Sequence, residues 1–381
     1  AIIESLNKGT NIITYLGHGS PDHWAQEGLL ETNDLGKIQT GKKLPIWLVG
    51  TCSWSYYDFL DKFCIPERLV LSENNAAIAA FGGPRPSWAT SNASLMRKIL
   101  KEWFDKNRIN RIRIGELIRR KKTGYSNNDE QYTLLGDPAI YPAMPYYTAN
   151  FEQMEEDTLK SLGRTEVQGN IEEALDNFNG QGILKVFDSE QKVKREDTEG
   201  GTMQYILPGN IIFKGRIPIK NGKFTTRFTI PKDLNFGDRP GYFNLYAWNE
   251  ETGQEIAGYY DSVFYSGSNN ISDTIGPEIE FGFTGVDFQN NDIVTPENDI
   301  RILLSDENGL NITNQLGHEM TLIFDDNNQK INVTEYFTAT SEDSGEIIYP
   351  LPEELESGSH SVTIQAWDNA NNLSMTTMEF T

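Results

Sequence analysis

The sequence predicts an α/β domain followed by two all-β modules. Apolar runs alternate with helical patterns up to about residue 145, and short strands with turn signals fill the rest of the chain. The charge changes at the same place: residues 1–145 hold 18 basic and 15 acidic side chains, and residues 146–381 hold 15 basic and 40 acidic. Because 381 residues exceed what one hydrophobic core usually organises, we expect two or three domains of different kinds.

Three apolar runs in the first part have the length of buried strands, and they lie at 12–16, 44–50 and 76–81. Runs that are apolar throughout suit strands buried on both faces, as in a parallel sheet. Residues 94–106 place their apolar side chains at helical spacing, which predicts a crossover helix. We therefore predict that residues 1–145 form an α/β domain.

After residue 145 the pattern becomes one of short strands divided by Gly and Asn. The clearest strands are predicted at 211–217, 223–230, 242–248, 299–304, 319–324, 360–367 and 375–380. Asn221-Gly222 is a hairpin-turn signal, and a polar run predicts a linker at 268–274. The spacing of the turns predicts two immunoglobulin-like sandwich modules, at 146–267 and 275–381.

Few side chains can carry chemistry, since the chain has four histidines and two cysteines. His18 lies between two glycines directly after the first apolar run, and Cys52 follows the second run. Open α/β sheets form their sites at the carboxyl ends of strands. If the two strands are neighbours, the imidazole and the thiol project into one crevice, where the thiolate is a nucleophile. The alternative from spacing alone is that Cys52 is a buried, inert side chain. The remaining histidines are predicted to be ordinary polar residues: His23, His318 and His360.

An ordered series of motifs runs through the chain. It begins with Tyr15-Leu16-Gly17-His18-Gly19-Ser20 and Gly50-Thr51-Cys52. It continues with residues 67–71, 76–79, 85–89 and 134–139, and ends with residues 366–372. In this order the motifs resemble the gingipain family of cysteine peptidases (peptidase family C25), and within it the sortases of the type IX secretion system of Bacteroidota.

The resemblance implies that residues 1–145 are the C-terminal portion of a caspase-like catalytic domain. His18 matches the catalytic histidine of the family and Cys52 matches its nucleophile. The backbone N–H groups of Gly19 and Cys52 are then candidates for an oxyanion hole. In the family the histidine protonates the leaving amine, and no cofactor is required. The front of the domain and a signal peptide are expected to precede this chain.

The resemblance also implies a function. A peptide carbonyl would form a thioester with the enzyme, which is then released to water or to an amine. The implied partners are C-terminal signal domains of secreted cargo, a lipopolysaccharide acceptor and proteins of an outer-membrane secretion complex. The implied location is the cell surface. The alternative is a catalytically silent module for surface adhesion or docking, although the presence of both His18 and Cys52 favours the enzyme.

Several other features remain open. Cys64 is expected to be free, since a bond to Cys52 would disable the nucleophile. A basic cluster is predicted to be a solvated helix face, with docking of an anionic lipopolysaccharide as the alternative; its members are Arg108, Arg111, Arg113, Arg119, Arg120, Lys121 and Lys122. Nucleic-acid binding is disfavoured because the rest of the chain is acidic. The turns 325–328 and 368–372 offer oxygen ligands for structural Ca²⁺, with ordinary turn chemistry as the favoured alternative.

Overall fold

The computed structural model describes residues 2–73, 75–105, 112–122, 127–142, 144–145, 147–152, 154, 158–172, 177–196, 201–325, 329–352 and 355–381. The chain divides into two compact units, Ala1–Met144 and Pro145–Thr381. Within the described residues, no helix combines the length and the apolar character needed to cross a membrane.

The first unit is built from alternating strands and helices. Its strands are β1 (Ile12–Leu16), β2 (His23–Trp24), β3 (Leu30–Glu31), β4 (Ile46–Gly50), β5 (Ala79–Gly82) and β6 (Thr133–Gly136). Its α-helices are α1 (Ile2–Lys8), α2 (Ile65–Leu71), α3 (Ala89–Trp103), α4 (Ile114–Lys121) and α5 (Asn127–Gln131). A 3₁₀ turn covers Thr32–Lys37.

The central sheet of the first unit has the order β1-β4-β5-β6. Strands β1, β4 and β5 are parallel, and β6 runs antiparallel to β5. All residues of β4 and β5 are buried, as their apolar runs predicted. Strand β1 is only partly buried, because among the described strands it lies at the edge of the sheet. The apolar run at 12–16 therefore marks a strand correctly and overstates its burial.

Helices cover both faces of this sheet, which explains why β4 is apolar throughout. Successive side chains of a strand point to opposite faces. Leu48 belongs to the core formed with helices α3 and α4, whereas Trp47 and Val49 belong to the core formed with α1 and α2. Helix α3 starts at Ala89, five residues before the predicted start at residue 94. The earlier turn adds Asn92 to the buried face of α3, a polar position that an apolar pattern does not mark.

The second unit consists almost entirely of strands. They are β7 (Tyr147–Phe151), β8 (Thr158–Ser161), β9 (Arg164–Ile171), β10 (Gly180–Phe187), β11 (Gln191–Glu196), β12 (Thr202–Leu207), β13 (Ile211–Ile219), β14 (Lys223–Thr229), β15 (Gly241–Trp248), β16 (Glu255–Ser268), β17 (Glu278–Phe283), β18 (Ile300–Ser305), β19 (Thr321–Phe324), β20 (Ile331–Asn332), β21 (Phe337–Ala339), β22 (Ser344–Tyr349), β23 (His360–Trp367) and β24 (Leu373–Phe380). A 3₁₀ turn covers Thr334–Tyr336.

One sheet in this unit includes strands from before and after residue 270. Its order is β14-β9-β7-β16-β15-β10-β13-β21-β22-β18-β17, and β8 also pairs with β16. The step between the two groups is a single parallel pairing, Gly215 with Ala339. A further sheet has the order β20-β19-β23-β24, and β11 pairs with β12 as a hairpin. The buried apolar side chains of the unit form one continuous core.

Replacing Leu48 by alanine should destabilise the first unit. The Leu48 side chain is fully buried in the core against α3, so its removal leaves a cavity. We expect a loss of about 2–5 kcal/mol in the free energy of unfolding, measured by urea denaturation. The matched control is Leu60→Ala, because Leu60 is 99% exposed and should change that free energy by less than about 0.5 kcal/mol. Equal effects of the two substitutions would contradict the burial of β4.

Candidate active site

His18 and Cys52 occupy equivalent positions at the carboxyl ends of two paired strands. Leu16, the last residue of β1, pairs in parallel with Gly50, the last residue of β4. His18 and Cys52 each follow two residues later, and neighbouring strands lie about 4.8 Å apart. The two segments adjoin beyond the strands, since a Cβ on Gly19 would lie 2.9 Å from the Thr51 methyl group.

The backbone of the His18 turn is held, while its imidazole is exposed. The Tyr15 hydroxyl and the Ala25 N–H both donate hydrogen bonds to the His18 carbonyl, each at 2.8 Å. The Tyr15 ring stacks on Trp24 with the ring centroids 4.5 Å apart. The Gly-His-Gly turn therefore presents a fixed backbone and a solvent-facing imidazole.

The N–H groups of Gly19 and Cys52 have no acceptor among the described residues. Gly19 forms an isolated antiparallel bridge with Trp24, closed by bonds from Ser20 N to His23 O and from Ala25 N to His18 O. In such a pair the Gly19 N–H points away from Trp24. Both N–H groups are thus available as donors to a bound oxygen atom.

The Cys52 sulfur is partly buried and contacts Ser87 rather than His18. Its S–H donates to the Ser87 carbonyl at 3.4 Å, and the Ser87 N–H donates to the sulfur at 3.4 Å. The Ser87 hydroxyl lies 3.8 Å from the same sulfur. Ser53, the next residue along the chain, has a φ of +52°, and this left-handed turn directs the chain toward the segment after β5. No hydrogen bond joins Cys52 to His18 among the described residues.

Sequence reasoning included Ser87 in the ordered motifs but assigned no role in the site to Ser87 or Asn92. Asn92 donates through Nδ2 to the Ser87 hydroxyl at 3.0 Å, and the Tyr132 hydroxyl donates to Asn92 Oδ1 at 2.6 Å. A signal was present for Ser87, because residues 85–87 follow the third apolar run as Cys52 follows the second. Nothing in the pattern marked Tyr132, which is 40 residues away from Asn92.

An ion pair joins the segments on either side of the thiol. Arg85 donates to Asp58 at 2.9 Å, and its guanidinium lies over the Tyr56 ring, 4.4 Å from the centroid. The Arg85 side chain lowers the pKa of Asp58 by hydrogen bonding. The loop that holds Asp58 also carries exposed apolar side chains: Tyr57, Phe59, Leu60 and Phe63.

The second cysteine is free and structural in character. Cys64 is buried and caps the start of α2, where its N–H and its S–H donate to Glu67 Oε2 at 2.9 and 3.0 Å. Burial first, and then the Glu67 hydrogen bond, raise the pKa of the Cys64 thiol to about 12. Cys52 is also free, so no disulfide blocks its sulfur.

The other three histidines contact carboxylates away from the Cys52 sulfur. His23 Nδ1 lies 2.8 Å from the Ser20 hydroxyl and 2.9 Å from Asp22, within a local turn. In the second unit His318 pairs with Asp233. His360 pairs with Asp325 at 2.7 Å, and this hydrogen bond raises the pKa of His360.

Glutamates on α3 and α4 pair with three members of the basic cluster. Arg119 and Arg120 contact Glu116 at 2.7 and 2.9 Å, and Lys121 contacts Glu102 at 2.9 Å. Outside these ion pairs, Lys122 donates to the Tyr132 carbonyl and Arg113 donates to the Tyr141 hydroxyl. Arg108 and Arg111 lie outside the described residues. These contacts favour the helix-face interpretation of the cluster.

One of the two turns considered as a source of Ca²⁺ ligands contributes to a group of three carboxylates. Oxygen atoms of Asp368, Asp273 and Asp306 lie within 4.8 Å of one another. Sequence reasoning named Asp368 and missed the other two, although the Asp-Glu-Asn-Gly turn that begins at Asp306 was a readable signal. Burial, together with its carboxylate neighbours, raises the pKa of Asp306 to about 7. In the other turn, residues 326–328 lie outside the described residues.

The two thiols should differ in reactivity. The raised pKa of Cys64 leaves almost no thiolate near pH 8, and its side chain is 1% exposed, whereas the Cys52 sulfur is partly exposed. We expect iodoacetamide to modify Cys52 in the native protein and Cys64 only after denaturation, as measured by peptide mass spectrometry. Modification of both thiols at the same rate in the native protein would contradict this assignment.

The pH dependence of stability should report on Asp306. Unfolded Asp306 loses its proton near its ordinary pKa of 3.8, whereas the folded state keeps the proton until about pH 7. This group therefore lowers the free energy of unfolding of the second unit as the pH rises from about 4 to 7. Asp306→Asn should reduce that pH dependence. The free energy of unfolding is measured by denaturant titration at each pH, and hydrogen exchange of the amides in β18 and β23 reports the second unit. The control is Asp287→Asn at an exposed position, and identical slopes in both variants would contradict the assignment.

No curated protein sequence matches the chain. The solved structure of dimeric latent PorU from Porphyromonas gingivalis is 27% identical, with 81% of this chain and 31% of that chain covered and a TM-score of 0.42. A tetra-tandem repeat in the extending region of a large adhesion protein is 12% identical, with 61% of this chain and 48% of that chain covered and a TM-score of 0.19. Both TM-scores are too low to establish a shared overall arrangement.

This chain spans about a third of the length of the PorU chain that it resembles. The sequence model of peptidase family C25 matches residues 1–143, which hold β1 to β6 together with His18, Cys52 and Ser87. The sequence of the first unit therefore matches peptidase family C25, a family of cysteine peptidases, as its ordered motifs predicted.

Proposed function

We propose that the protein is a cysteine peptidase in which Cys52 is the nucleophile and His18 is the general acid. The observation that carries this proposal is the parallel pairing of Leu16 with Gly50, which sets both residues at equivalent positions beyond adjacent strand ends. The family match of residues 1–143 supports a peptidase. The exposed imidazole and the partly exposed thiol are both accessible to a substrate from solvent.

The reaction follows from these groups. After the thiol proton has passed to water, the Cys52 sulfur attacks the peptide carbonyl carbon as a thiolate, and its negative charge moves to the carbonyl oxygen. The N–H groups of Gly19 and Cys52, which have no acceptor among the described residues, are the donors for that oxygen. When the C–N bond breaks, the leaving amine takes a proton from the protonated imidazole of His18, which becomes neutral, and a thioester remains on Cys52. This division of roles does not require a hydrogen bond between the thiol and the imidazole in the resting enzyme.

The substrate and the acceptor form the finer part of the proposal. We infer from the ordered motifs that the thioester is transferred to water or to an amine, in the manner of a type IX secretion sortase. Cargo C-terminal signal domains would be the substrates and a lipopolysaccharide the acceptor. The protein would work at the cell surface with outer-membrane secretion proteins. The cationic groups of the first unit that pair with Glu102 and Glu116 offer no support for lipopolysaccharide docking.

Two structural expectations also remain proposals. The strands of the second unit are proposed to form immunoglobulin-like sandwiches at 146–267 and 275–381. Structural Ca²⁺ is proposed at Asp368 together with Asp273 and Asp306, because Ca²⁺ prefers carboxylate and carbonyl oxygen ligands. Adding Ca²⁺ at pH 7 in the Asp306 denaturation experiment tests this site, since a bound ion would raise the free energy of unfolding and Asp306→Asn would weaken that effect.

Substitution of the two proposed catalytic residues tests the enzyme. In the protein at its natural length, Cys52→Ala should abolish labelling by an acyloxymethyl ketone probe and reduce peptide cleavage by at least about 10³-fold. His18→Ala should reduce cleavage by about 10²–10⁴-fold through loss of the proton donor. Cleavage and probe labelling, followed by gel fluorescence and mass spectrometry, are the measurements.

Matched controls are available in the same unit. Cys64→Ser keeps a capping side chain on α2, and His23→Asn keeps a polar side chain in the neighbouring turn, so both variants should retain cleavage and labelling. Cleavage that survives Cys52→Ala would overturn the proposal. A protein that cleaves nothing and whose Cys52 resists the probe would instead support the silent adhesion or docking module.

A further inference from the structure

A chain of hydrogen bonds runs from the Cys52 sulfur into the core of the first unit. We propose that Ser87 is a further catalytic residue, which stabilises the Cys52 thiolate through its N–H and its hydroxyl, and that Asn92 and Tyr132 are positioning residues that orient Ser87. The proposal rests on the proposed role of Cys52 as nucleophile. It concerns the preparation of the sulfur before any substrate is attacked.

Ser87 contacts the sulfur in the thiol state and has the groups to contact it as an anion. In the thiol state the S–H of Cys52 donates to the Ser87 carbonyl, and the Ser87 N–H donates to the sulfur, both at 3.4 Å. When the thiol proton passes to water, the bond to the carbonyl is lost and the sulfur becomes an acceptor only. The Ser87 N–H is already in place as a donor, and the hydroxyl 3.8 Å away is the second. Hydrogen bonds to an anion are stronger than those to a neutral group.

Asn92 determines whether the Ser87 hydroxyl acts as a hydrogen-bond donor toward the sulfur. Its Nδ2 donates to the Ser87 hydroxyl oxygen at 3.0 Å and to the Gly50 carbonyl at 3.3 Å. Because this bond occupies an acceptor site on the oxygen, the hydroxyl hydrogen is left to be donated, and the Cys52 sulfur lies within reach. The same amide group also joins Ser87 to the end of β4, two residues before the nucleophile. Asn92 is 2% exposed, so the contact is protected from water.

Tyr132 fixes the orientation of the Asn92 amide. Its hydroxyl donates to Asn92 Oδ1 at 2.6 Å, so the amide oxygen faces Tyr132 and the nitrogen faces Ser87. The Tyr132 ring is fully buried and packs on Phe81, 5.4 Å between centroids. Burial raises the pKa of the Tyr132 hydroxyl, so it stays a donor throughout the pH range in which thiols react. A Cβ at Gly83 would lie 3.0 Å from this ring, so glycine leaves room for it.

Four charged or titratable side chains lie on the segments around the sulfur. Tyr132 reaches it through Asn92 and Ser87, and His18 lies at the end of the neighbouring strand. Asp58 and Arg85 form an ion pair on the segments that flank the thiol. Of these, only the Tyr132 hydroxyl is part of the chain of hydrogen bonds that ends at the sulfur.

The purely structural alternative makes a different prediction. Buried polar groups need hydrogen-bond partners, and a network that serves only that need affects stability without affecting the sulfur. The pH dependence of Cys52 alkylation separates the two cases. Iodoacetamide reacts with the thiolate, so the midpoint of the rate against pH reports how strongly the anion is stabilised.

The test measures the alkylation rate of Cys52 by peptide mass spectrometry between pH 5 and pH 10, a range of about five units in which thiols titrate. In Ser87→Ala we expect the midpoint to move to higher pH and the rate at neutral pH to fall about tenfold, the size of one lost hydrogen bond to a charged group. Ser87→Thr, which keeps a hydroxyl, should restore most of the rate. Tyr132→Phe, which removes one oxygen, should shift the midpoint in the same direction by a smaller amount.

Two controls keep the result interpretable. Ser91→Ala changes a serine on α3 that makes no side-chain hydrogen bond among the described residues, so the midpoint should stay unchanged. Protection of Cys64 from iodoacetamide shows in every variant that the first unit is folded. If a variant fails to fold, the remaining two of Ser87→Ala, Ser87→Thr and Tyr132→Phe still decide the question.

An unchanged midpoint in folded Ser87→Ala would overturn the role of Ser87. A shift in Ser87→Ala without a shift in folded Tyr132→Phe would overturn the positioning role of the network. Alkylation needs no peptide cleavage, so a failure of the thiolate network and a failure of the proposed peptidase function give different results. A midpoint that shifts in Ser87→Ala, in a protein that cleaves no peptide, would support the network and reject the peptidase. Peptide cleavage that depends on Cys52, with an unchanged midpoint in Ser87→Ala, would support the peptidase and reject the network.

Discussion

The parallel pairing of β1 with β4 is the constraint on which the candidate site depends. Its register aligns Leu16 with Gly50, and the placement of His18 beside Cys52 follows from that alignment. The side chains of His18 and Cys52, which lie 34 residues apart in the sequence, are brought to one edge of the sheet together with the N–H groups of Gly19 and Cys52. A shift of one residue would send the His18 or the Cys52 side chain to the other face, because strand side chains alternate. The geometry of the site therefore depends on main-chain hydrogen bonds between β1 and β4, and not on contacts between the side chains of the site.

Burial of β4 on both faces secures this register. Leu48 packs toward α3 and α4, and Trp47 and Val49 pack toward α1 and α2, so a slipped strand would expose or misplace large apolar groups. The same packing brings Asn92 of α3 beneath the end of β4, where a polar side chain bonds to the Gly50 carbonyl. Core packing and site geometry are thus joined at one buried amide group. The first unit can keep this polar network because each member has a partner.

The second unit uses its acidic side chains differently. The acidic excess of the chain belongs to this strand-rich unit. Its apolar core continues from the strands before residue 270 to those after it. Residues without regular structure connect β16 to β17, and Asp273 within them accepts a hydrogen bond from Asn308. Asp306 and Asp368 come close to the same carboxylate, and burial first, and then this proximity, raises the pKa of both groups. The acidic composition of the sequence does not show where carboxylates meet, and the fold brings three of them within 4.8 Å of one another.

The spacing of apolar residues and the residue types of turns are local properties. From them the sequence by itself determined most strands and showed that His18 and Cys52 each follow the end of a strand. The ordered motifs added the family of the first unit. The partial exposure of β1, the early start of α3 and the role of Asn92 depended on packing between distant elements. Ser87 lies 35 residues from Cys52, Tyr132 lies 40 residues from Asn92, and Asp273 lies 95 residues from Asp368. Only the tertiary structure decided these contacts, because the sequence pattern records which face a residue occupies and not which distant residue it meets there.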